Sequence, residues 1–484
     1  MIVQRLMLST ILLFVSVYSL ASDRTGNELS VEEKIYGLSV LWKEASYNFA
    51  YFDQVENLDW DAEYLKYIPK VKASKNDFEY YRLLSELAAK LEDGMTYIKI
   101  PESLIRQHIA FPAIKIAEAE GKAVIVAVEK SLHDLIPIGS VILKVDGKSV
   151  EQILKTDVFP YISSSTQHIK LDNAIKGSFI NGYGLLAGAP KSKVNITLKL
   201  QDKSEKIVEL TRDYQDQSLE FISSEHVAKK QQERELSIVG RELENGIYYL
   251  ALNNFSDLEM VEKFKTLIPD MQKSTGLILD LRYNEGGNTM IVEDILKYLT
   301  FHDLTGAKSK MRIHNATFKA WGKFAQEYQW AKKYEDYYVG QAWTEMPADV
   351  LYADDVPRSD KVVVPTAVLI GRNTSSAAEN FLIYTDGAEQ FHTIGERTFG
   401  STGQPLIIDL PGGGKAKICT KRDSYADGRD FVGYGIKPDI LVPRDVSYYL
   451  SNDDAVLNVA EKFLNELRES KSSDKVAKLM SNNR

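Results

Sequence analysis

The sequence predicts a multidomain α/β protein: a helical N-terminal region, a small β-rich domain, and a core in which strands and helices alternate. Three observations carry that prediction. Apolar residues recur at helical spacing through residues 29–92. Over 105–212 the pattern changes to short β-branched runs separated by tight-turn residues. From Gly246 onward apolar runs alternate with amphipathic stretches, the signature of βαβ units in a largely parallel sheet. With 484 residues, 44% hydrophobic and 26% charged, the chain is long enough for about three domains with cores of their own. The net charge of −9, with Lys and Arg dispersed, points to neither nucleic acid nor an anionic membrane surface as partner. A single cysteine, Cys419, excludes an internal disulfide and a Cys-based metal cluster, and it falls in a predicted strand as a small buried side chain.

The first 21 residues read as a signal peptide. Arg5 precedes an apolar stretch, residues 6–17, that is too short to span a bilayer, and Ser19-Leu20-Ala21 places small residues at the −3 and −1 positions of a cleavage site. The expected product starts near Ser22 and is exported, either periplasmic or secreted. No cysteine at that point would carry a lipid, and no later run approaches the ~20 apolar residues of a membrane helix, so membrane insertion after leader removal is not expected.

In the helical region (29–100), Ser30-Val-Glu-Glu33 is a capping box, and a second helix start is predicted at Ser74 with Asp77 three residues on. In the β-rich domain (105–212), strands are predicted at 123–128 and 141–145, the latter closed by the tight-turn pair Asp146-Gly147, and a hairpin at 194–200 and 206–211. Residues 213–239 are polar and read as a solvated connector. The core (240–445) should contain strands at 247–252, 276–281 and 362–370, with helices at 258–271, 291–298 and 377–384. Residues 300–360 are aromatic-rich and irregular, and are expected to cover the core. A C-terminal helix, 455–468, and a polar tail complete the last segment, 446–484.

Two stretches of the core carry chemistry. Ser375 and Ser376 stand where a buried strand hands over to a helix, where unpaired N–H groups and the dipole favour negative charge. Ser376-Ala-Ala-Glu379 also satisfies the pattern of an ordinary capping box. Asp280-Leu-Arg-Tyr-Asn-Glu-Gly-Gly287 lies between a strand and a helix, and its paired glycines let backbone N–H groups approach a ligand.

Together these residues resemble the C-terminal-processing, or tail-specific, serine peptidase family, including its tricorn-like branch. The resemblance rests on Asp280–Gly287, on Thr374-Ser-Ser-Ala-Ala-Glu379, on Gly395-Glu-Arg-Thr-Phe-Gly400 and on Gly435-Ile-Lys-Pro-Asp439, and runs over roughly 35–445. Residues 138–150, with Val145-Asp-Gly147, resemble a PDZ segment, and PDZ domains add a peptide as an extra strand. The family resemblance implies a crotonase-like α/β core, Ser376 as nucleophile, oxyanion donors at Gly286 or Gly287 and at Ala377, a peptide or unfolded-protein substrate, and no metal or organic cofactor. The base is where the chain departs from the family. One branch places a Lys where this chain has Ser401, and the other places a His in a turn that here reads Asp93-Gly-Met95-Thr. Neither Met95 nor Ser401 accepts a proton near neutral pH. His392, Lys415, Lys417, His302 and His314 are the alternative bases to be tested against geometry, and Asp427 and Asp430 are the nearest late carboxylates. The same substitutions leave open a second reading, a catalytically weakened relative that only binds peptides, and a third, an acyl hydrolase of small molecules on the same core.

Overall fold

The computed structural model describes residues 28–215, 219–451 and 453–481; the predicted leader lies outside them. The helical region comprises Val31–Asn48, Trp60–Lys72 and Asp77–Ala89. The first helix starts at the predicted box: Ser30 Oγ accepts from the Glu33 N–H at 3.1 Å, and the Glu33 carboxylate accepts from the Ser30 N–H at 2.8 Å. The third starts later than predicted. Its cap is Asn76, which accepts from the Glu79 N–H at 2.8 Å, while the Ser74 hydroxyl donates backwards to the Val71 carbonyl at 2.8 Å. Leu38, Leu41, Tyr80, Leu84 and Leu87 of these helices share one continuous core with Ile125, Ile142, Ile196 and Leu198 of the β-rich domain.

That domain is an antiparallel sheet in the order Ile114–Ala119, Lys122–Glu129, Val141–Val145, Lys193–Lys199, Glu205–Thr211. Asp146 and Gly147 both have positive φ (48° and 79°), as a primed hairpin turn requires. The following stretch is more than a solvated connector. It contains the strand Phe221–Ser223, which pairs with Lys122–Glu129, the helix Glu225–Arg234, and the edge strand Ile238–Glu242 of the core. Its helix has no apolar stripe because its inward anchor is the charged Lys230, buried in an ion cluster described below.

The core sheet runs Ile440–Leu441, Phe391–Gly395, Thr366–Ile370, Gly276–Asp280, Ile247–Leu252, Ile238–Glu242; all neighbours are parallel except the last pair. Every residue of its three central strands is buried, because both faces are covered. Met260–Met271, Thr289–Leu299 and Ala377–Tyr384 pack on one face, and Val456, Ala460 and Leu464 of the helix Ala455–Ser481 pack on the other. The strand expected at 362–370 begins only at Thr366, after Pro365, which has no N–H to give a ladder. The C-terminal helix is longer than expected. Residues 300–360 contain a β-hairpin, Lys308–Arg312 with Trp343–Met346, which Lys421–Ser424 extends, and short helices form its tip. A three-stranded sheet of Tyr97–Lys99, Lys415–Cys419 and Pro405–Asp409 stitches the helical region to the core, with Cys419 buried in its strand.

Candidate active site

Ser376 follows the carboxyl end of the central strand Thr366–Ile370, the end at which open parallel sheets bind ligands. Its backbone has φ 54° and ψ −122°. A non-glycine residue in that region stores about 1–3 kcal/mol and persists only where its surroundings hold it. The surroundings do so on both sides. The Ser375 N–H donates to the Asn284 carbonyl at 3.1 Å, and the Ser376 N–H donates to the Ser401 carbonyl at 3.3 Å. Thr374 Oγ1 donates to the Leu281 carbonyl at 2.8 Å and accepts from the Gly371 N–H at 3.0 Å. The sharp turn leaves Ser376 half-buried between Ser375 and Ala377, which are both buried.

The paired glycines stand directly against this turn. A Cβ on Gly286 would lie 2.7 Å from Ser376 Cβ, 2.8 Å from the Ser375 carbonyl oxygen and 2.9 Å from the Ala377 nitrogen, so only glycine fits. Gly287 packs on Phe255, where a Cβ would lie 2.3 Å from a backbone atom. The two glycines differ in what their N–H groups do. That of Gly286 is taken by Asn284 Oδ1 at 2.8 Å. Among the described residues, the N–H groups of Gly287 and Ala377 have no hydrogen-bond acceptor. Of the two glycines that the resemblance offers as donor beside Ala377, the structure commits Gly286 to shaping the turn and leaves the N–H groups of Gly287 and Ala377 free among the described residues. Asn284, which the sequence reading did not single out, is fully buried and also donates to the Leu252 carbonyl at 2.8 Å. It clamps the glycine turn to the sheet on one side and to the serine loop on the other.

Glu379 lies beneath the serine. Fully buried, it accepts from Thr398 Oγ1 at 2.5 Å and from the N–H groups of Gly400, Ser401 and Ser376 at 2.8, 3.2 and 3.3 Å. Burial pushes its carboxyl up to about 7 even though all four donors favour the anion. The capping pattern read from the sequence is therefore here a tether: the carboxylate draws the 398–401 loop onto the start of the helix.

The two positions at which the family branches carry their bases meet at this same loop. A Cβ on Gly94 would touch the Phe399 ring at 2.6 Å and Ser401 Oγ at 3.2 Å, so the turn bearing Met95 backs onto Ser401. Ser401, in turn, accepts the Ser376 N–H through its carbonyl and donates its hydroxyl to Asp93 Oδ1 at 3.2 Å. Asp93 is buried and also takes hydroxyl donors from Thr96 at 2.7 Å and Ser165 at 3.3 Å; burial raises its carboxyl above the usual range despite them. Hydroxyls, a thioether and this carboxylate thus stand at the positions where the resemblance leads one to expect a basic nitrogen.

None of the alternative bases named above reaches the serine. His392 sits three residues before the carboxyl end of its strand, opposite Ala367, and its ring packs on Phe463 of the C-terminal helix. Lys415 pairs with Asp409 at 2.8 Å, and the Lys417 ammonium lies over the Tyr97 ring. His314 contacts the Tyr47 carbonyl, and the backbone of His302 is held by Thr300. Asp427 is bound to Arg429 and Asp430 to Arg422, both at exposed sites. Among the described residues, no histidine or lysine is hydrogen-bonded to the Ser376 hydroxyl, and no group of three or more His, Cys, Asp or Glu side chains is placed to hold a metal ion.

Two buried ion clusters support the site. Arg282 bridges Asp280 and Asp454 through nitrogen–oxygen contacts of 2.7–3.0 Å, with Lys230 3.4 Å from Asp454 and Tyr249 donating to Asp280 at 2.7 Å. Burial opposes ionisation of both carboxyls, but the Arg282 charge outweighs it and holds them below the usual range. On the other side, Arg372, four residues before Ser376, reaches Glu396 at 2.9 Å, Asp172 at 3.2 Å, and Glu118. The last two belong to the β-rich domain, so the serine loop and that domain share one buried cation.

An α/β core whose central strand ends in a strained serine turn, set against a glycine pair and flanked by the free N–H groups of Gly287 and Ala377, is built like a serine hydrolase. Residues 246–442 match the model of peptidase family S41, the family expected from the four motifs, and the match supports a serine peptidase. The chain also superposes on solved structures. Mature CPAF matches with TM-score 0.66 at 13% identity, covering 90% of this chain and 96% of that one. Mature CPAF complexed with lactacystin gives TM-score 0.66 at 13% identity over 91% and 98%. The photosystem II D1 C-terminal processing protease gives 0.45 at 17% identity over 87% and 95%. At this identity the likeness to CPAF shows a shared fold. No curated protein sequence matches the chain.

Proposed function

We propose that the protein is an exported serine endopeptidase of the tail-specific type, acting on peptides or unfolded proteins through an acyl-enzyme at Ser376. One observation carries the reading: Gly286 fits against Ser376 and Ala377 with no room for a side chain, while the N–H groups of Gly287 and Ala377 have no acceptor among the described residues. A substrate strand would present its scissile carbonyl to the Ser376 hydroxyl, and the β-rich domain, if PDZ-like, would guide it as an added strand. As Oγ bonds to the carbonyl carbon and loses its proton, the charge growing on the carbonyl oxygen meets the two free N–H groups and the helix N-terminus. Loss of the amine leaving group gives the acyl-enzyme, and water releases the acid and restores Ser376.

With Met95 and Ser401 at the family's base positions, the proton passes to solvent water in place of a basic nitrogen, and solvent supplies the proton that the departing amine takes up. Loss of a base typically lowers turnover by about 10⁴–10⁶ and leaves roughly 10³–10⁴ over water. That same observation favours a second reading, in which the groove binds peptides and turnover is negligible. Labelling with a fluorophosphonate separates the two. Slow labelling of the wild type that is absent in Ser376→Ala supports the peptidase. No labelling, with undiminished binding of an unfolded polypeptide, supports the binder.

A further inference from the structure

A cavity of about 350 Å³ lies between the helix Asp77–Ala89 and the β-rich domain, and no residue of the serine loop or the glycine turn lines it. Its walls are apolar: Phe78, Ile109, Val145, Ile153, Val158 and Leu185. Neither edge strand of the β-rich sheet, Ile114–Ala119 or Glu205–Thr211, contributes a lining residue. The cavity is therefore separate from a groove that would take a peptide as an added strand. Its size falls at the lower end of the roughly 300–1,000 Å³ of small-molecule sites.

Two guanidinium groups reach it. Arg82 lies over the Tyr161 ring, with Cζ 3.4 Å from the centroid, and donates through Nη1 to the Gly182 carbonyl at 3.1 Å. Arg212 is 8% exposed and donates through Nε to the Leu186 carbonyl at 2.9 Å. Through Nη1 it donates to the Ser192 hydroxyl at 3.1 Å and the Lys193 carbonyl at 3.0 Å. Gly188 makes room for it, since a Cβ there would lie 2.6 Å from Nε. All these acceptors are neutral. The carboxylate that approaches Arg212 is that of Asp146, still 3.9 Å from Nη2, and its other oxygen already accepts the Asn195 N–H at 2.8 Å. Arg82 has no carboxylate at ion-pair distance among the described residues.

The other buried arginines are held differently. Burial also opposes the charge of Arg282 and Arg372, but their carboxylates overcome it and raise both groups above the usual range. For Arg82 and Arg212 burial prevails, and both guanidiniums fall below that range. Among the described arginines only Arg312, in the hairpin strand, shares this imbalance, so two of the three line one cavity. A buried cation without a full counter-ion is costly, and an anion relieves it. The rim carries Asp146, Asp157 and Lys148, all exposed, where water screens them. We propose that this cavity binds a small carboxylic acid with an apolar body, its carboxylate on Arg82 and Arg212 and its apolar part against Phe78, Ile109 and Ile153. The planar fork of a guanidinium matches the two oxygens of a carboxylate. The apolar walls gain from a hydrocarbon body what a bare inorganic anion would not supply. A fatty acid and the carboxyl end of a short apolar peptide share this chemistry. The site stands independently of the peptidase reading.

The test is isothermal titration calorimetry of the chain beginning at Ser22, the form export would leave, with octanoate and with N-acetyl-leucyl-leucine, each beside its uncharged amide. The expected result is binding of at least one acid, with its amide roughly tenfold or more weaker. Arg82→Gln should weaken the acid by a similar factor, and Ile153→Phe, which fills the apolar end, should weaken it without touching the charge. Arg82 is half-buried on its helix, and an unchanged circular dichroism spectrum of Arg82→Gln separates loss of the site from loss of the fold. Ile153→Phe supplies an independent arm. Binding of octanoate alone assigns the cavity to acyl-chain acids, binding of the dipeptide alone assigns it to peptide ends, and binding of both supports the shared chemistry. Failure of both acids to bind at millimolar concentration overturns the proposal, as does binding that the amides match or that neither variant changes.

Discussion

The turn carrying Ser376 and the turn carrying Met95 converge on one loop, residues 398–401, and they have been built to opposite ends. The serine side retains what stabilises negative charge: a strained backbone, a helix N-terminus, a glycine with no room for Cβ and two N–H groups without acceptors. On the other side Ser401 and the buried Asp93 are hydrogen-bonded to each other. Stabilising an oxyanion and taking up a proton are separable tasks; on the proposed reading the backbone for the first is present, while the positions expected for the second hold Met95 and Ser401.

That contrast can be broken or sharpened, and the largest effect is expected at the nucleophile. Ser376→Ala should abolish fluorophosphonate labelling altogether; labelling that persists would place the reactive hydroxyl elsewhere. Met95→His restores an imidazole to the Asp93-Gly-His-Thr turn and should accelerate labelling by roughly 10²–10⁴, read as a pseudo-first-order rate. An unchanged rate would mean that the turn does not face the serine. Gly286→Ala should reduce labelling at least about 10²-fold, because the new methyl displaces the Ser376–Ala377 backbone. The effect should exceed that of Gly121→Ala, where a Cβ meets nothing within 4 Å. Asp454→Ala leaves Arg282 buried with half its partners and should lower stability by about 3–5 kcal/mol in urea unfolding.

The smallest effect is a pH dependence. Glu379 holds its proton to about 7 in the folded protein against an ordinary value of 4.5. Folded chains therefore bind more protons between those values. The stabilisation this group contributes is complete below about 4.5 and is lost as pH rises through 7, by up to about 3 kcal/mol. Urea midpoints at pH 5 and 7.5 should converge in Glu379→Gln relative to wild type; parallel shifts would show that the slope comes from other groups.

Much of the frame was legible because periodicity and capping are local properties. The helix Ala377–Tyr384 and the Ser30 cap follow from them directly. The misreadings have equally local causes. Ser74 and Asn76 are both capping residues two positions apart; the Ser74 hydroxyl is spent on the Val71 carbonyl and Asn76 caps the helix. The stretch 213–239 looked solvated because its helix is anchored by the buried Lys230 rather than by an apolar stripe. Within the site, the sequence pointed to the serine and the glycines but could not say which glycine N–H is spent. That depends on Asn284 Oδ1, a side-chain orientation that leaves no periodic trace. The tether formed by Glu379 and the tie from Arg372 to Glu118 and Asp172 join residues far apart in the chain, beyond the reach of spacing arguments.

The Arg372 tie has a practical corollary for anyone dissecting the gene. The stretch that matches the family model, 246–442, looks like the natural fragment to express by itself. Cut there, the fragment would strand a guanidinium beside its reactive loop, lacking both counter-ions that Glu118 and Asp172 supply, and would lose the Lys230 and Asp454 charges behind the glycine turn. A unit that keeps these ion pairs therefore reaches at least from Glu118 to Asp454.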